Sequence, residues 1–216
     1  NEWLRKDPKA GSTKVEEWTK INKEVVYVFL GPGGVHTLDP TIKKSWVDSI
    51  GANYAILQKL NMIKPLDIGA WVNDSYVRQT YKELGLDYDK QLAAYDTYNV
   101  KGTDPVCNAP VDNPKLVGEV WIQGGDIVPF SSPVCTLLGV KKYTAEGKKF
   151  NAVYLVDHEL GIKLFADAAF YAIKADLKKP DVVPFLLKKD AEAHAAKNGG
   201  KVATYAEALT AINVGQ

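Results

Sequence analysis

The two cysteines of this chain, Cys107 and Cys135, are the residues with the most specific chemistry. Each follows a Pro-Val pair, in the segments 103–107 (Thr-Asp-Pro-Val-Cys) and 131–135 (Ser-Ser-Pro-Val-Cys). A β-hairpin is predicted between them, over residues 116–130. A pair presented in this way indicates a soft-metal site, a disulfide, or two free buried thiols, and the residues alone leave these three open.

A metal site at this pair would favour copper. Thiolates are soft ligands that suit Cu(I) and zinc. Two sulfurs are enough to hold Cu(I) in a linear arrangement, whereas zinc ordinarily takes four ligands and is the less suitable ion. His158, at the end of a predicted strand, is the candidate third ligand. The competing structural disulfide would stabilise a fold with a loop of this size by roughly 3–4 kcal/mol.

The other two histidines give weaker indications of a functional site than the cysteine pair does. His194 lies in an Ala-rich segment with Lys and Glu neighbours, which predicts a solvated helix surface outside any site. His36 follows Gly33-Gly34-Val35 and is interpreted as a hinge or turn residue. Nucleophilic catalysis would need a base held against a thiolate, and nothing in the spacing of the cysteines and histidines predicts one. We therefore do not expect an enzyme.

The bulk composition excludes two classes of partner. Lys and Arg number 27 against 26 for Asp and Glu, a formal net charge of +1. Nucleic acid is therefore not expected as a partner, because phosphate binding usually needs a basic excess. No apolar run approaches the roughly 20 residues of a membrane span. Because the chain begins at Asn1 without a signal peptide, we expect a mature or trimmed product, and we expect it in the periplasm or at the cell exterior. The two cysteines do not by themselves fix the redox compartment.

The organisation predicted is α+β: a helical region over residues 1–100, then a domain over 101–216 with a small, mostly antiparallel sheet. In the first region, Thr13 and Glu16 form a capping-box pattern, and Asp39 precedes a proline that would open a long helix. The apolar run 25–30 fits either a strand or a helix. A further helix is predicted over 68–84.

In the second region, the apolar runs predict five strands and three helices. The strands are expected over 117–123, 127–130, 152–156, 169–173 and 182–186. The helices are expected after Ser132-Pro133, over 188–197, and after a capping box formed by Thr204 and Glu207.

The second region, about residues 103–212, resembles the copper-accessory (NosL-like) lipoprotein family of nitrous oxide reductase, and the YHS and TRASH metal-binding modules. The resemblance rests on three features: Asp-Pro-Val-Cys at 104–107, Ser-Pro-Val-Cys at 132–135, and the closing run from 184 to 202. It implies an α+β fold related to organomercurial lyase, with Cu(I) bound by Cys107 and Cys135.

The chain departs from that family after the first cysteine. The family turn usually continues Cys-Gly-Met, whereas here Asn108 and Ala109 follow Cys107. The thioether ligand is therefore missing, and the only methionine of the chain is Met62. The kinship with organomercurial lyase also implies a minor enzymatic alternative, in which Asp104 would be the proton donor.

The first region, about residues 24–96, resembles the last helices of ABC-transporter substrate-binding proteins of the nitrate, sulfonate and taurine type. The segments 46–49 (Trp-Val-Asp-Ser) and 71–78 (Trp-Val-Asn-Asp-Ser-Tyr-Val-Arg) carry this resemblance. It implies that this region is the tail of a longer protein, because about a hundred residues are too few for both lobes of such a protein.

The function expected from these observations is binding or delivery of a soft metal ion, Cu(I) above all, by an extracytoplasmic accessory protein with a protein partner. The alternative is an interaction subunit of a larger assembly or of an ABC-type substrate-binding system. In that alternative, Cys107 and Cys135 form a structural disulfide.

Overall fold

A computed structural model describes residues 2–34, 40–96, 98–174 and 181–212. Two units are present: Asn1–Thr37 with Asn99–Gln216, and Leu38–Tyr98. The second boundary lies close to the division predicted at residue 101. The first differs, because the initial helices belong to the same unit as the C-terminal half.

The helices and strands follow in chain order. The helices are α1 (Glu2–Lys6), α2 (Pro8–Thr19), α3 (Lys23–Leu30), α4 (Lys44–Lys59), α5 (Ile68–Trp71), α6 (Ser75–Glu83), α7 (Tyr88–Asp96), α8 (Pro133–Ala145), α9 (Lys188–Asn198) and α10 (Tyr205–Ala211). The strands are β1 (Gly102–Thr103), β2 (Pro110–Val111), β3 (Gly118–Ile122), β4 (Ile127–Phe130), β5 (Phe150–Val156), β6 (Lys163–Phe165), β7 (Phe170–Lys174), β8 (Asp181–Phe185) and β9 (Lys201–Ala203). No helix in these described ranges is long and apolar enough to cross a bilayer.

The strands form three small sheets, and every pairing is antiparallel. One sheet has the order β4-β3-β5-β6, the second has the order β8-β7-β9, and β1 pairs with β2. The α+β class is therefore confirmed. The hairpin predicted between the cysteines is β3–β4, in which Gly118 pairs with Phe130 and Trp121 pairs with Ile127.

Helix α8, which begins just before Cys135, packs closely against the β3–β4 hairpin because glycines stand at the crossing points. A methyl group on Gly118 would overlap the Thr136 side chain, and one on Gly139 would overlap the Phe130 ring. Phe130, Leu137 and Thr136 are fully buried at this contact. Dense interiors tolerate no extra carbon at such points, so these glycines fix the distance between α8 and the hairpin.

Helix α3 packs on the sheet through aromatic contacts of Tyr27 and a hydrogen bond from its hydroxyl to a buried ion pair. The Tyr27 ring lies 5.6 Å from Trp121 and 5.3 Å from Tyr154. The Tyr27 hydroxyl donates to Glu119 Oε1 at 2.6 Å, and Lys163 Nζ lies 2.5 Å from Glu119 Oε2. Burial lowers the pKa of Lys163, and the Glu119 carboxylate opposes that shift. This packing explains why the first helices do not belong with residues 38–98.

The second unit contains α4 to α7 and carries its own aromatic contact. The rings of Tyr81 and Tyr88 are 5.6 Å apart, and both residues are buried. The Arg78 guanidinium lies 4.0 Å from the centre of the Tyr88 ring and donates to Asp74 Oδ2 at 2.6 Å. Tyr88 also accepts the backbone N–H of Ile42 at 2.9 Å, which ties the start of the unit to α7.

The five predicted strands are present as β3, β4, β5, β7 and β8, and the structure adds the short strands β1, β2, β6 and β9. The other differences concern the helices. Thr13 does not open a helix: α2 already begins at Pro8, because the Asp7 carboxylate accepts the Ala10 N–H at 2.9 Å. The helix predicted over 68–84 is interrupted at residues 72–74. The run 25–30 is helical. The long helix begins at Lys44, and Asp39 and His36 lie outside the described residues.

Candidate functional site

Cys107 and Cys135 are joined by a disulfide. Of the three states left open by the sequence, the structure therefore shows the oxidised one. A disulfide sulfur has no thiolate charge with which to hold a metal ion. The two cysteines can act as metal ligands only after reduction.

The turn that carries Cys107 is built around a buried aspartate. Asp104 is fully buried, and its Oδ1 accepts the backbone N–H groups of Val106 and Cys107, each at 2.8 Å. An aspartate that binds the N–H groups two and three residues ahead forms an Asx-type turn, so residues 104–107 fold locally. The turn leaves Cys107 exposed.

The same aspartate holds the second cysteine segment. Asp104 Oδ2 accepts the backbone N–H and the hydroxyl of Ser131, each at 2.8 Å. One carboxylate therefore receives four hydrogen bonds and connects segments that are distant in sequence. Charge-assisted hydrogen bonds of this kind are stronger than neutral ones, so Asp104 is the main positioning residue of the cysteine pair.

Cys135 lies in the first turn of α8. Ser132 caps the helix by accepting the Cys135 N–H at 3.2 Å, and Pro133 occupies the first turn. Cys135 is buried among apolar side chains that include Phe130 and Val106. Because the N-terminus of a helix carries partial positive charge, it stabilises negative charge on a reduced Cys135 sulfur.

Asn108 closes the turn that carries Cys107 in a left-handed backbone conformation. Its φ is +52°, in the left-handed region, and its N–H donates to the Asp104 carbonyl at 3.0 Å. Asparagine tolerates this region better than other non-glycine residues.

Replacing Asn108 by glycine should therefore leave the disulfide intact and change the free energy of unfolding by less than about 1 kcal/mol, because glycine adopts this φ without strain. Asn108→Val should lower that free energy by more than about 1 kcal/mol, since a β-branched residue is strained there. Urea unfolding of both variants checks this. Equal stability of the two variants would show that the turn does not depend on the left-handed φ.

Asp104 lies close to the sulfurs but is poorly placed to become a ligand. Its carboxylate and the sulfurs of Cys107 and Cys135 lie within 4.8 Å of one another. Each of its oxygens already accepts two hydrogen bonds, and coordination of an ion would cost some of them. Among the residues that the structure describes, the group at the reduced site would therefore offer two thiolates and one carboxylate that is already fully hydrogen-bonded. That set suits Cu(I) better than zinc.

His158 does not lie in the cysteine group. It belongs to a second group, in which one ligand atom each from His158, Glu159 and His194 lies within 4.8 Å of the others. The prediction of His158 as a third ligand beside the two sulfurs is therefore not realised in this structure. Burial and the neighbouring His158 both lower the pKa of His194.

Sequence reasoning missed two of these placements. The hydrogen-bonding role of Asp104 was available from its spacing, because Asp followed by Pro-x-Cys is typical of an Asx turn. The placement of His194 beside His158 had no local indication. An alanine-rich helix with charged neighbours predicts only that one face is solvated.

Comparison with family models gives no match, and comparison with curated proteins gives none either. Among solved structures, the chain is similar to the crystal structure of the copper chaperone NosL from Shewanella denitrificans. The TM-score is 0.40 and the sequence identity is 18%, and the similarity covers 49% of this chain and 88% of that one. These comparisons do not bear on the resemblance of residues 24–96 to substrate-binding proteins, which stays a prediction.

Proposed function

We propose that this protein is an extracytoplasmic accessory protein that binds one Cu(I) ion through Cys107 and Cys135 in their reduced state. The disulfide is then its oxidised, metal-free form. The observation that carries the proposal is the presentation of the pair. Cys107 is exposed and Cys135 is buried at a helix N-terminus, and one carboxylate holds both segments.

The two states differ by two electrons and two protons. An external dithiol reduces the disulfide and is itself oxidised to a disulfide. Cu(I) then displaces the two thiol protons and is held by two thiolates. Low coordination leaves the ion open to an incoming thiolate of a partner protein, and the exposed Cys107 is the ligand at which such an exchange would begin.

We infer the extracytoplasmic location from the Cys107–Cys135 disulfide. Disulfides persist in oxidising compartments and are rare in the cytosol. The disulfide of the structure therefore supports a periplasmic or extracellular protein. A copper donor or acceptor protein is the partner that this role requires.

The test is a Cu(I) titration of the anaerobically reduced protein in competition with a chromophoric Cu(I) chelator. We expect one ion per reduced chain and none per oxidised chain. Cys107→Ser should weaken binding by at least about a hundredfold, since even outer-shell changes at metal sites cost 10–100-fold.

Two controls make the titration specific. Met62→Leu removes the only other soft side chain, which is exposed in the other unit, and should leave the affinity unchanged. His158→Ala should also leave it unchanged, because His158 does not lie with the sulfurs. Absence of Cu(I) binding by the reduced chain, or equal affinity of Cys107→Ser, would contradict the proposal.

The second candidate function is an interaction module of a larger assembly with a structural disulfide. The disulfide itself favours it. In this version the oxidised protein is the working form, and a pull-down with oxidised bait should retain a stoichiometric partner. Reduced bait should retain that partner less well, because the 104–107 and 131–135 segments lose their covalent link. This candidate has no enzymatic step.

A further inference from the structure

Two imidazoles and a carboxylate converge at a second place in the first unit. His158 and Glu159 follow strand β5, and His194 lies on α9. One ligand atom from each lies within 4.8 Å of the others, and the two imidazole rings are 5.0 Å apart. The chain brings these residues together from segments separated by three strands, β6, β7 and β8. This group is distinct from the cysteine pair.

The turn that carries His158 is fixed by hydrogen bonds on both sides. The His158 N–H donates to the Pro184 carbonyl at 3.0 Å. The buried Asp157 carboxylate accepts the N–H groups of Leu160 and Leu186, each at 2.5 Å. The turn is therefore tied to the end of β8, and the His158 backbone is held in place.

His194 is held in place by the packing of helix α9. Its neighbours on α9, Ala191 and Ala195, are buried in one cluster with Phe185. The fully buried Phe185 ring lies 5.5 Å from the His158 ring and 5.2 Å from the His194 ring. Both imidazoles thus rest on one apolar side chain. Ligands supported by rigid elements lose little freedom when they bind an ion.

Cavities beside the two histidines give an ion access to them, and carboxylates lie nearby. The two histidines line a cavity of about 530 Å³ whose lining also includes residues 132–134. A neighbouring cavity of about 480 Å³ adds Asp190, a second carboxylate, and the cation Lys197. Glu159 and His158 are exposed, so a hydrated ion can reach them.

The donor set indicates the class of ion. Imidazole nitrogens suit zinc, copper and nickel, and a carboxylate completes a three-ligand set with an open position for water. With metal–nitrogen distances of about 2.0–2.1 Å, tetrahedral ligands lie about 3.3 Å apart. Because the three ligand atoms lie within 4.8 Å of one another, they need to approach by at most about 1.5 Å, which rotation of the exposed Glu159 and His158 side chains supplies.

We propose that His158, Glu159 and His194 form a second metal site, which binds a divalent transition-metal ion such as Zn(II). The ligands are nitrogen and oxygen atoms and not sulfur. The site does not depend on the oxidation state of Cys107 and Cys135.

The test uses the full chain with its disulfide intact and zinc chloride alone as the probe, measured by isothermal titration calorimetry. We expect one Zn(II) per chain. His158→Ala and His194→Ala should each weaken binding by about tenfold or more. Addition of Co(II) should give weak visible bands typical of nitrogen and oxygen ligands, without a thiolate charge-transfer band.

Matched controls separate ligand loss from damage to the fold. Glu192→Gln changes an exposed residue on the same helix, which pairs with Lys188 at 3.5 Å, and should not change the affinity. His36→Asn removes the third histidine of the chain and should also leave it unchanged. Thermal melts of the apo variants should coincide with that of the wild type. His194→Gln repeats the test with a polar side chain if the alanine variant is unstable.

The proposal is overturned if the wild-type chain binds no Zn(II) below millimolar concentration, or if the double variant His158→Ala, His194→Ala binds as tightly as the wild type. Since zinc is added to oxidised protein and Cu(I) to reduced protein, failure here leaves the Cu(I) result standing. Failure of the Cu(I) titration likewise leaves this one standing.

Discussion

Replacement of Lys163 by methionine is expected to lower the free energy of unfolding by about 3–5 kcal/mol. Lys163 is 4% exposed and Glu119 is 3% exposed, and their ion pair lies under the Tyr27 ring, 4.4 Å from the ammonium. Methionine fills a similar volume but leaves the Glu119 carboxylate buried with no cation beside it. Uncompensated buried charge is the dominant cost.

The measurement is urea unfolding followed by tryptophan fluorescence. The double variant Lys163→Met, Glu119→Gln should recover at least about 2 kcal/mol, since it removes the buried charge. Lys188→Met is the matched control: its pair with Glu192 is 63% and 55% exposed, so the change should cost less than about 1 kcal/mol. If Lys163→Met were as mild as this control, the buried ion pair between β3 and β6 would not be a major source of stability.

Replacement of Asp104 by alanine is expected to lower the free energy of unfolding by about 3–5 kcal/mol even with the disulfide intact. Four donors lose their acceptor, and hydrogen bonds to a charged group contribute about 1.5–3 kcal/mol each before relaxation and water recover part of the loss. Asp104→Asn keeps one acceptor oxygen but turns an amide N–H₂ toward donors on the other side. Asp104→Asn should therefore lower the free energy of unfolding by about half as much as Asp104→Ala.

Asp104 should also affect the Cu(I) affinity that we propose for the cysteine pair. In reduced Asp104→Ala, the two cysteine segments lose their shared anchor, so Cu(I) affinity should fall by about tenfold or more. Asp112→Asn changes an exposed aspartate of the same half and should alter neither stability nor Cu(I) binding. Wild-type stability of Asp104→Ala would show that the disulfide alone holds the segments.

The proposed sites would select different ions. The cysteine pair offers sulfur, changes with the redox state, and suits a soft monovalent ion. The histidine group offers nitrogen and oxygen, is independent of thiol oxidation, and suits a borderline divalent ion. A protein with both sites could hold two metal ions, since the donor set of each site favours a different ion.

Local sequence information predicted the elements well wherever short-range interactions decide them. Thr204 and Glu207 form the predicted capping box, and α8 begins at the Ser-Pro pair, because both features depend on contacts within one turn. The start of α2 was wrong for a related reason. Two capping patterns compete within a few residues, and Asp7 with Pro8 prevails over Thr13 with Glu16 because it extends the helix by a further turn.

The sequence by itself determined the α+β class, the hairpin between the cysteines and the turn that presents Cys107, because these depend on patterns within a few residues. Only the tertiary structure decided which groups meet. In the fold, Cys107 pairs with Cys135, and Asp104 accepts hydrogen bonds from both cysteine segments. His158 lies beside His194 instead of beside the sulfurs. Contacts between distant segments are set by how sheets and helices pack around a common core. That packing depends on the whole set of buried side chains and not on the residues near any one position.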